Sequence, residues 1–231
     1  MTASRRVAVT CYASARMTAE RSNAGSTRQR LLLEAMRLFA DEGLNAVALR
    51  RVVQAAGAQN SSALHYYFGG RSGLVAGIVK QLGEWLQPRW SQRFDALARE
   101  AAPDAMAVVE ALYDPVMELY ASKTYGPSAV RFLARLAWDL GQDGQQLSAE
   151  LHAMPLQRAE SLLRRHSWPA TDIEILRLRL LMTMANVYHG LSDRSYLRRS
   201  PFGALALAHP DQADALRRHF YQYLVAGLQG A

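Results

Sequence analysis

A glycine turn between two short amphipathic stretches, followed at once by an aromatic cluster and another amphipathic stretch, constrains this chain more than any other feature. Leu32, Ala35, Met36 and Phe39 recur at helical spacing after Ser26 or Thr27 as N-cap, and the pattern stops at Gly43. Leu49, Val52, Val53 and Ala56 repeat the stripe up to Gly57, which supplies the positive φ that so tight a turn requires. A third short helix is predicted over Asn60 to Tyr66, burying Ala63 and Leu64, and a fourth from Arg71 to about Leu86. This order is that of a helix-turn-helix, whose helix after the turn enters the major groove of DNA.

Charge agrees with that layout. Residues 1–80 hold eleven Lys/Arg against four Asp/Glu, and the remaining chain sixteen of each, so the whole net charge of +7 lies beside the candidate reading helix. Double-stranded DNA is therefore the first expected partner. Arg5, Arg6, Arg16 and Arg21 sit in a stretch without helical periodicity, so residues 1–25 are expected to be a disordered basic tail, with Met1 and Met17 both possible starts. The run after Ser4-Arg5-Arg6 is too polar for a targeting signal. Cys11 is the only cysteine, which rules out an intramolecular disulfide framework and fits a reducing cytoplasm. No apolar stretch has membrane-spanning length, so no membrane partner is expected.

Period-two alternation is nowhere sustained, so the chain is expected to be all-α. The expected division is a helix-turn-helix domain over 26–80 and a larger helical domain over 81–231. Helices in the second are predicted over Asp104 to Ser122, Pro127 to Gly141, Gln145 to His166, Thr171 to Leu191 and Asp211 to Leu228. Pro115 should kink or break the first of them. Apolar residues from Ile173 to Leu191 go round most of their helix, so one face is expected to meet a second copy of the chain, with Leu181, Met184 and Tyr188 joined there by Phe220 and Leu224 of the last helix. The same pattern also suits a central helix buried within one monomer. Trp90, Tyr113, Met117, Tyr120 and Trp138 are spaced to face inward; such a stripe builds a core, and it leaves room for an apolar small-molecule effector.

No catalytic chemistry is indicated. His152, His166 and His189 lack metal-ligand spacing, there is no glycine-rich phosphate loop, and no serine sits in a nucleophile elbow, so neither a metal, a cofactor nor an enzymatic activity is expected.

Ala55-Ala56-Gly57, the run Leu64 to Phe68 with Tyr66-Tyr67-Phe68, Arg71 and Leu74, together with Leu38-Phe39-Ala40 and Glu42-Gly43-Leu44, resemble the tetracycline-repressor (TetR) family of bacterial transcription regulators. The resemblance implies a homodimeric, ligand-responsive repressor on a palindromic operator, with a variable ligand-binding and dimerising domain after the helix-turn-helix. In that frame Gln59, Asn60, Ser61, Ser62 and His65 are the candidates to read base edges, and Tyr66, Arg71, Arg50 and Arg51 the candidates for phosphate. Arg28 and Arg30 could add minor-groove or phosphate contacts. Three departures stand out: one residue more than the commonest spacing between Gly57 and Phe68, which leaves the base-reading register open by one position; Ala48 where a capping threonine is usual; and Arg71 where a lysine is usual. The reading from a different class is a helical ligand-binding or adaptor protein whose vestigial helix-turn-helix docks another protein.

Overall fold

The computed structural model describes residues 26–58, 62–192 and 195–229. These are mostly helical, with no β-strand among them beyond a lone antiparallel bridge between Ser200 and Gly203. The helices are α1 (residues 26–42), α2 (Leu49–Ala55), α3 (Ala63–Phe68), α4 (Arg71–Leu97), α5 (Ala105–Ala121), α6 (Gly126–Asp139), α7 (Gly141–Leu162), α8 (Ile173–Ser192), α9 (Ser195–Arg198) and α10 (Ala213–Gln229).

Helices α1 to α3 and the start of α4 form a small head. Its core is the expected stripe of α1, extended by Leu31 and Ala40, closed over by Leu44, Val47, Val52, Leu64 and Leu74, all essentially sealed from solvent. Gly43 (φ +102°) and Gly57 (φ +62°) adopt the left-handed backbone that ends α1 and α2. Ala48, at the N-cap of α2, makes no side-chain cap bond, so the first N–H groups of that helix lack the partner a hydroxyl would give, at about 1 kcal/mol.

The rest is a helical body. Helix α4 leaves the head and packs on α5 and α7; α6 lies against α5, α7 and α8; α10 closes the bundle on α5 and α8. Because α4 runs unbroken from Arg71 to Leu97, the division after residue 80 falls inside it, and the helix belongs to both parts.

Helix α4 runs past its expected end near Leu86, and the break expected at Pro115 is absent. Pro88 lies within α4, exposed like Glu84 one turn before it, so the carbonyl the proline leaves unpaired faces water. Pro115 lies within α5, where it removes the donor of the Ala111 carbonyl, and the indole Nε1 of Trp90 donates to the neighbouring Leu112 carbonyl at 2.8 Å, tying this turn of α5 to α4. Packing from Val116 and Leu119, both buried, holds the far side. Elsewhere α7 starts at Gly141 rather than Gln145, and its last turn widens over Leu163–Ser167. Asp104 caps α5 by accepting from Ala107 N at 2.7 Å, whereas α8 is capped by Asp172 in place of Thr171, with the carboxylate 2.9 Å from Glu174 N.

Candidate nucleic-acid interface and effector cavity

Helix α3 is anchored by Leu64, 1% exposed, on the head core, and this fixes which side of it meets solvent. Ser62, His65 and Tyr66 lie on the outer side, Tyr66 at 83% exposure with its ring edge-on to Tyr67, centroids 5.1 Å apart. Tyr67 and Phe68 are half-buried against the core. Gln59, Asn60 and Ser61 lie outside the described residues. The described helix begins at Ala63, later than the expected start. After it the chain turns through Gly69 and Gly70, with φ of +69° and +141°, into α4. Gly73 then passes so close to α3 that a Cβ there would sit 1.9 Å from the Phe68 carbonyl oxygen, a requirement that no periodicity reveals.

The arginines divide into two sets. Arg71, expected at a phosphate, turns inward: its Nη1 donates to the Leu44 carbonyl and its Nη2 to that of Val47 at 2.6 Å, with the guanidinium 5.6 Å from the Phe39 ring centroid. Arg30 likewise donates through Nε to the Ala56 carbonyl at 3.0 Å, satisfying the end of α2. Both groups hold the α1–α2 and α2–α3 connections, Arg71 half-buried and Arg30 still exposed. Arg51 pairs in bidentate fashion with Glu42, at 2.5 and 2.8 Å, on an exposed surface. The same pairing raises the Arg51 pKa and lowers that of Glu42. Arg28 is exposed, 5.3 Å from the Phe68 ring centroid. Arg50 is exposed and has no ion pair among the described residues.

A second element besides α4 grips the head. The Asp139 carboxylate at the end of α6 accepts from Leu44 N at 2.8 Å, and Asn45 Nδ2 donates to the Asp139 carbonyl at 2.5 Å. Arg135 Nε donates to the Ala40 carbonyl at 2.9 Å, and Arg131 pairs with Asp41 at 3.1 Å. Leu44 is thus held by α6 through its N–H and by the first residue of α4 through its carbonyl.

In the body, the five residues expected to enclose a ligand do not share one space. Trp90 is fully buried, and Tyr113 is 2% exposed with its hydroxyl 2.6 Å from that of Thr183. Thr183 donates to the Leu180 carbonyl at 2.9 Å, so Tyr113 is the donor of the pair. Met117 and Tyr120 are half-buried in the wall of the same bundle. Trp138, by contrast, is 74% exposed on the outer side of α6, its indole donating to His189 Nε2 at 3.1 Å.

Trp138 borders a cavity of about 260 Å³ between α6, α7 and α8. From α6 it is walled by Leu133, Ala134 and Ala137, and from α8 by Met184 and Ala185. Its polar lining comes from Gln145, Ser148 and His152 on α7 and Tyr188 and His189 on α8. His152 is buried, its Nδ1 2.7 Å from the Ser148 carbonyl and its Nε2 2.6 Å from the Tyr188 hydroxyl. Burial pulls the His152 pKa down to about 4, and burial pushes the hydroxyls of Tyr188 and Tyr113 well above their ordinary value. A larger cavity, about 310 Å³, lies at the other end of α4, near Phe94, Arg158, Arg165, His166 and Glu100.

The residues expected at a dimer contact also separate. Tyr188 and Leu224 are enclosed in the chain's own core, 5% and 0% exposed, Tyr188 against His152 of α7 and Leu224 on α10, which packs on α5 and α8. Met184 and Phe220 are half-buried, the Phe220 ring stacked with that of Tyr223. Leu181 is exposed, and with it Ile175, Leu178, Met182 and Tyr223, at 47 to 59%.

Comparison with known proteins supplies the family context. Residues 31–78 match the family model of bacterial regulatory proteins, tetR family. No curated protein sequence matches. Among solved structures, the TetR-family transcriptional regulator PfmR from Thermus thermophilus aligns over 88% of this chain and 98% of its own, with a TM-score of 0.57 and 18% identity. A TetR-family regulator from Streptomyces coelicolor aligns over 89% and 96%, with a TM-score of 0.40 and 18% identity. The PfmR likeness is one of fold, and it extends through both head and body.

Proposed function

We propose, from the premise that this chain belongs to the tetR family of bacterial regulatory proteins through residues 31–78, that it is a sequence-specific DNA-binding regulator acting as a ligand-responsive homodimer on a palindromic operator. The observation that carries the reading is the outer side of α3, where Ser62, His65 and Tyr66 stand exposed beyond a buried Leu64. Hydroxyl and imidazole groups so placed suit base edges and phosphates, with Gln59, Asn60 and Ser61 just before them in sequence and Arg50 on the adjoining helix. Residues 26–80 act as the reading domain, 81–231 as the ligand-binding and dimerising domain, and 1–25 as a basic tail that adds nonspecific affinity.

The homodimer is supported by α8. Ile175, Leu178, Leu181 and Met182 present four large apolar side chains to water from one helix, and Tyr223 of α10 adds a fifth. A two-fold axis there covers them and sets two copies of α3 toward successive major grooves, roughly 34–36 Å apart. Repression is the sign that the family resemblance suggests. Selection of bound duplexes from random DNA tests the reading: it is expected to enrich a palindrome of two half-sites, and enrichment of no sequence would overturn it.

A further inference from the structure

We infer that Glu42, the last residue of α1, is a brake on DNA affinity: it occupies Arg51 of α2 and keeps that cation from the phosphate backbone. The inference rests on the DNA-regulator reading, and a polyanion that needs no reading helix tests it separately.

Three carboxylates lie between residues 26 and 80, and each has a different use. Glu34 pairs with Arg37 one turn along α1, and Asp41 pairs with Arg131 of the body. Of the three, Glu42 is the one that reaches α2, the first helix of the helix-turn-helix and the one that crosses the DNA backbone in such motifs.

Arg51 lies in the first turn of α2 on its solvent side, beside Arg50, with Val52 and Val53 turned into the core. Its Nη1 and Nη2 donate to separate oxygens of Glu42 at 2.5 and 2.8 Å, the two-pronged arrangement by which a guanidinium also grips a phosphate. Exposed pairs are commonly weak because two long side chains must be held in one geometry. Here the connection between the partners is pinned: Asp139 holds Leu44 N, and Arg71 holds the Leu44 and Val47 carbonyls. Closing the pair therefore orders less chain than at a loose surface. Glu42 also stays ionised, since Arg51 lowers its pKa.

A phosphate that takes the same prongs of Arg51 must expel Glu42, which then stands as a bare anion beside a polyanion. The exchange swaps one anionic partner for another and adds a repulsion, so Arg51 contributes little to binding while Glu42 is present. Arg50, in the same turn and without an ion pair among the described residues, carries no such brake. Backbone contacts position a protein without reading sequence. Glu42 thus sets how tightly the head holds DNA at large, not which sequence it reads.

Affinity of the full chain for a random-sequence duplex is measured from about 0.05 to about 0.3 M salt for wild type, Glu42→Gln, Arg51→Ala and the double variant, with melting curves to confirm the fold. Glu42→Gln is expected to bind at least about fivefold more tightly at about 0.1 M salt and to steepen the salt slope by about one unit per head. Glu42→Ala is the second variant should Glu42→Gln melt early. Arg51→Ala should weaken binding by at least about threefold more in the Glu42→Gln background than in wild type, a coupling that independent charge effects do not produce. Glu34→Gln, the same charge change at the pair within α1, should alter affinity by less than about twofold.

Weaker binding by Glu42→Gln would make Glu42 a support that aims Arg51 at phosphate, and it overturns the brake. Unchanged affinity, an equal gain from Glu34→Gln, or equal losses from Arg51→Ala in the two backgrounds overturns it as well. Should no version bind a random duplex, the DNA reading falls, and retention on immobilised heparin decides whether Glu42 masks Arg51. Glu42→Gln is then expected to elute at higher salt than wild type, with the double variant returning to the wild-type position; coincident elution of Glu42→Gln and wild type overturns the masking.

Discussion

In the head, Arg30 and Arg71 aim their guanidinium groups at main-chain carbonyls of Ala56, Leu44 and Val47, whereas in the body Arg93, Arg158 and Arg177 meet carboxylates of Asp114, Asp95 and Glu160 on neighbouring helices. The difference follows from size and composition. The head is a few short helices with three carboxylates between residues 26 and 80, so its connections are held by arginine donors where a larger core would hold them by packing. The body has long helices with their own apolar interior, and its ion pairs bridge the edges of neighbouring helices, with Asp114 and Glu160 largely covered and Asp95 exposed. Arg30 and Arg71 keep their full charge on these neutral carbonyls and still add to the positive field of the head, while the head's own connections set where their guanidinium groups point.

The sharpest way to break this contrast is at the tightest backbone contact of the head. Gly73→Ala would place a methyl 1.9 Å from the Phe68 carbonyl oxygen, which backbone cannot yield to cheaply. We expect a loss of more than about 4 kcal/mol and no DNA binding, read by chemical denaturation; a variant as stable as wild type would show that the α3–α4 turn is looser than described.

The body's equivalent weakness is a buried histidine. The His152 pKa is about 4 in the fold, against an ordinary value of 6.5 in the unfolded chain. The unfolded state therefore takes up the proton first as pH falls. The stabilisation is complete above about pH 6.5 and is lost progressively down to about pH 4, up to about 3 kcal/mol in all. His152→Phe should flatten that part of the stability-against-pH curve, and an unchanged curve would place its origin elsewhere.

These two sites also mark the limit of what the sequence discloses. The stripes of α1 and α2 and their stops at Gly43 and Gly57 were legible because apolar period and left-handed glycine are local properties. Neither Gly73 nor the inward turn of Arg71 shows in the periodicity: one depends on the left-handed Gly69-Gly70 turn that folds the start of α4 back on Phe68, the other on where the Leu44 carbonyl ends up. Pro88 and Pro115 stay within helices for a reason that periodicity also leaves out: Pro88 lies on an exposed turn, and Pro115 lies in a turn that packs on α4 and is tied to it by the Trp90 indole. Trp138 and Leu224 exchanged expected places because periodicity gives a helix a buried face without saying which neighbour buries it.

A smaller effect is expected at Arg71. Replacing it by Ala leaves the Leu44 and Val47 carbonyls without their donors and should cost about 2 kcal/mol, read by denaturation. Arg177, exposed and paired with Glu160 and Glu174, supplies the matching control in the body; Arg177→Ala should leave the melting temperature unchanged. Equal losses at both positions would erase the distinction between head and body.

The most direct measurement is the salt dependence of affinity for a selected duplex, taken in parallel with melting curves, for Arg50→Ala and Arg71→Ala. Arg50 is exposed and Arg71 is clasped, so the account predicts that Arg50→Ala flattens the slope by about one unit at unchanged stability, while Arg71→Ala lowers stability and leaves the slope of the folded protein intact. A flattened slope at full stability for Arg71→Ala, with no change for Arg50→Ala, would contradict it.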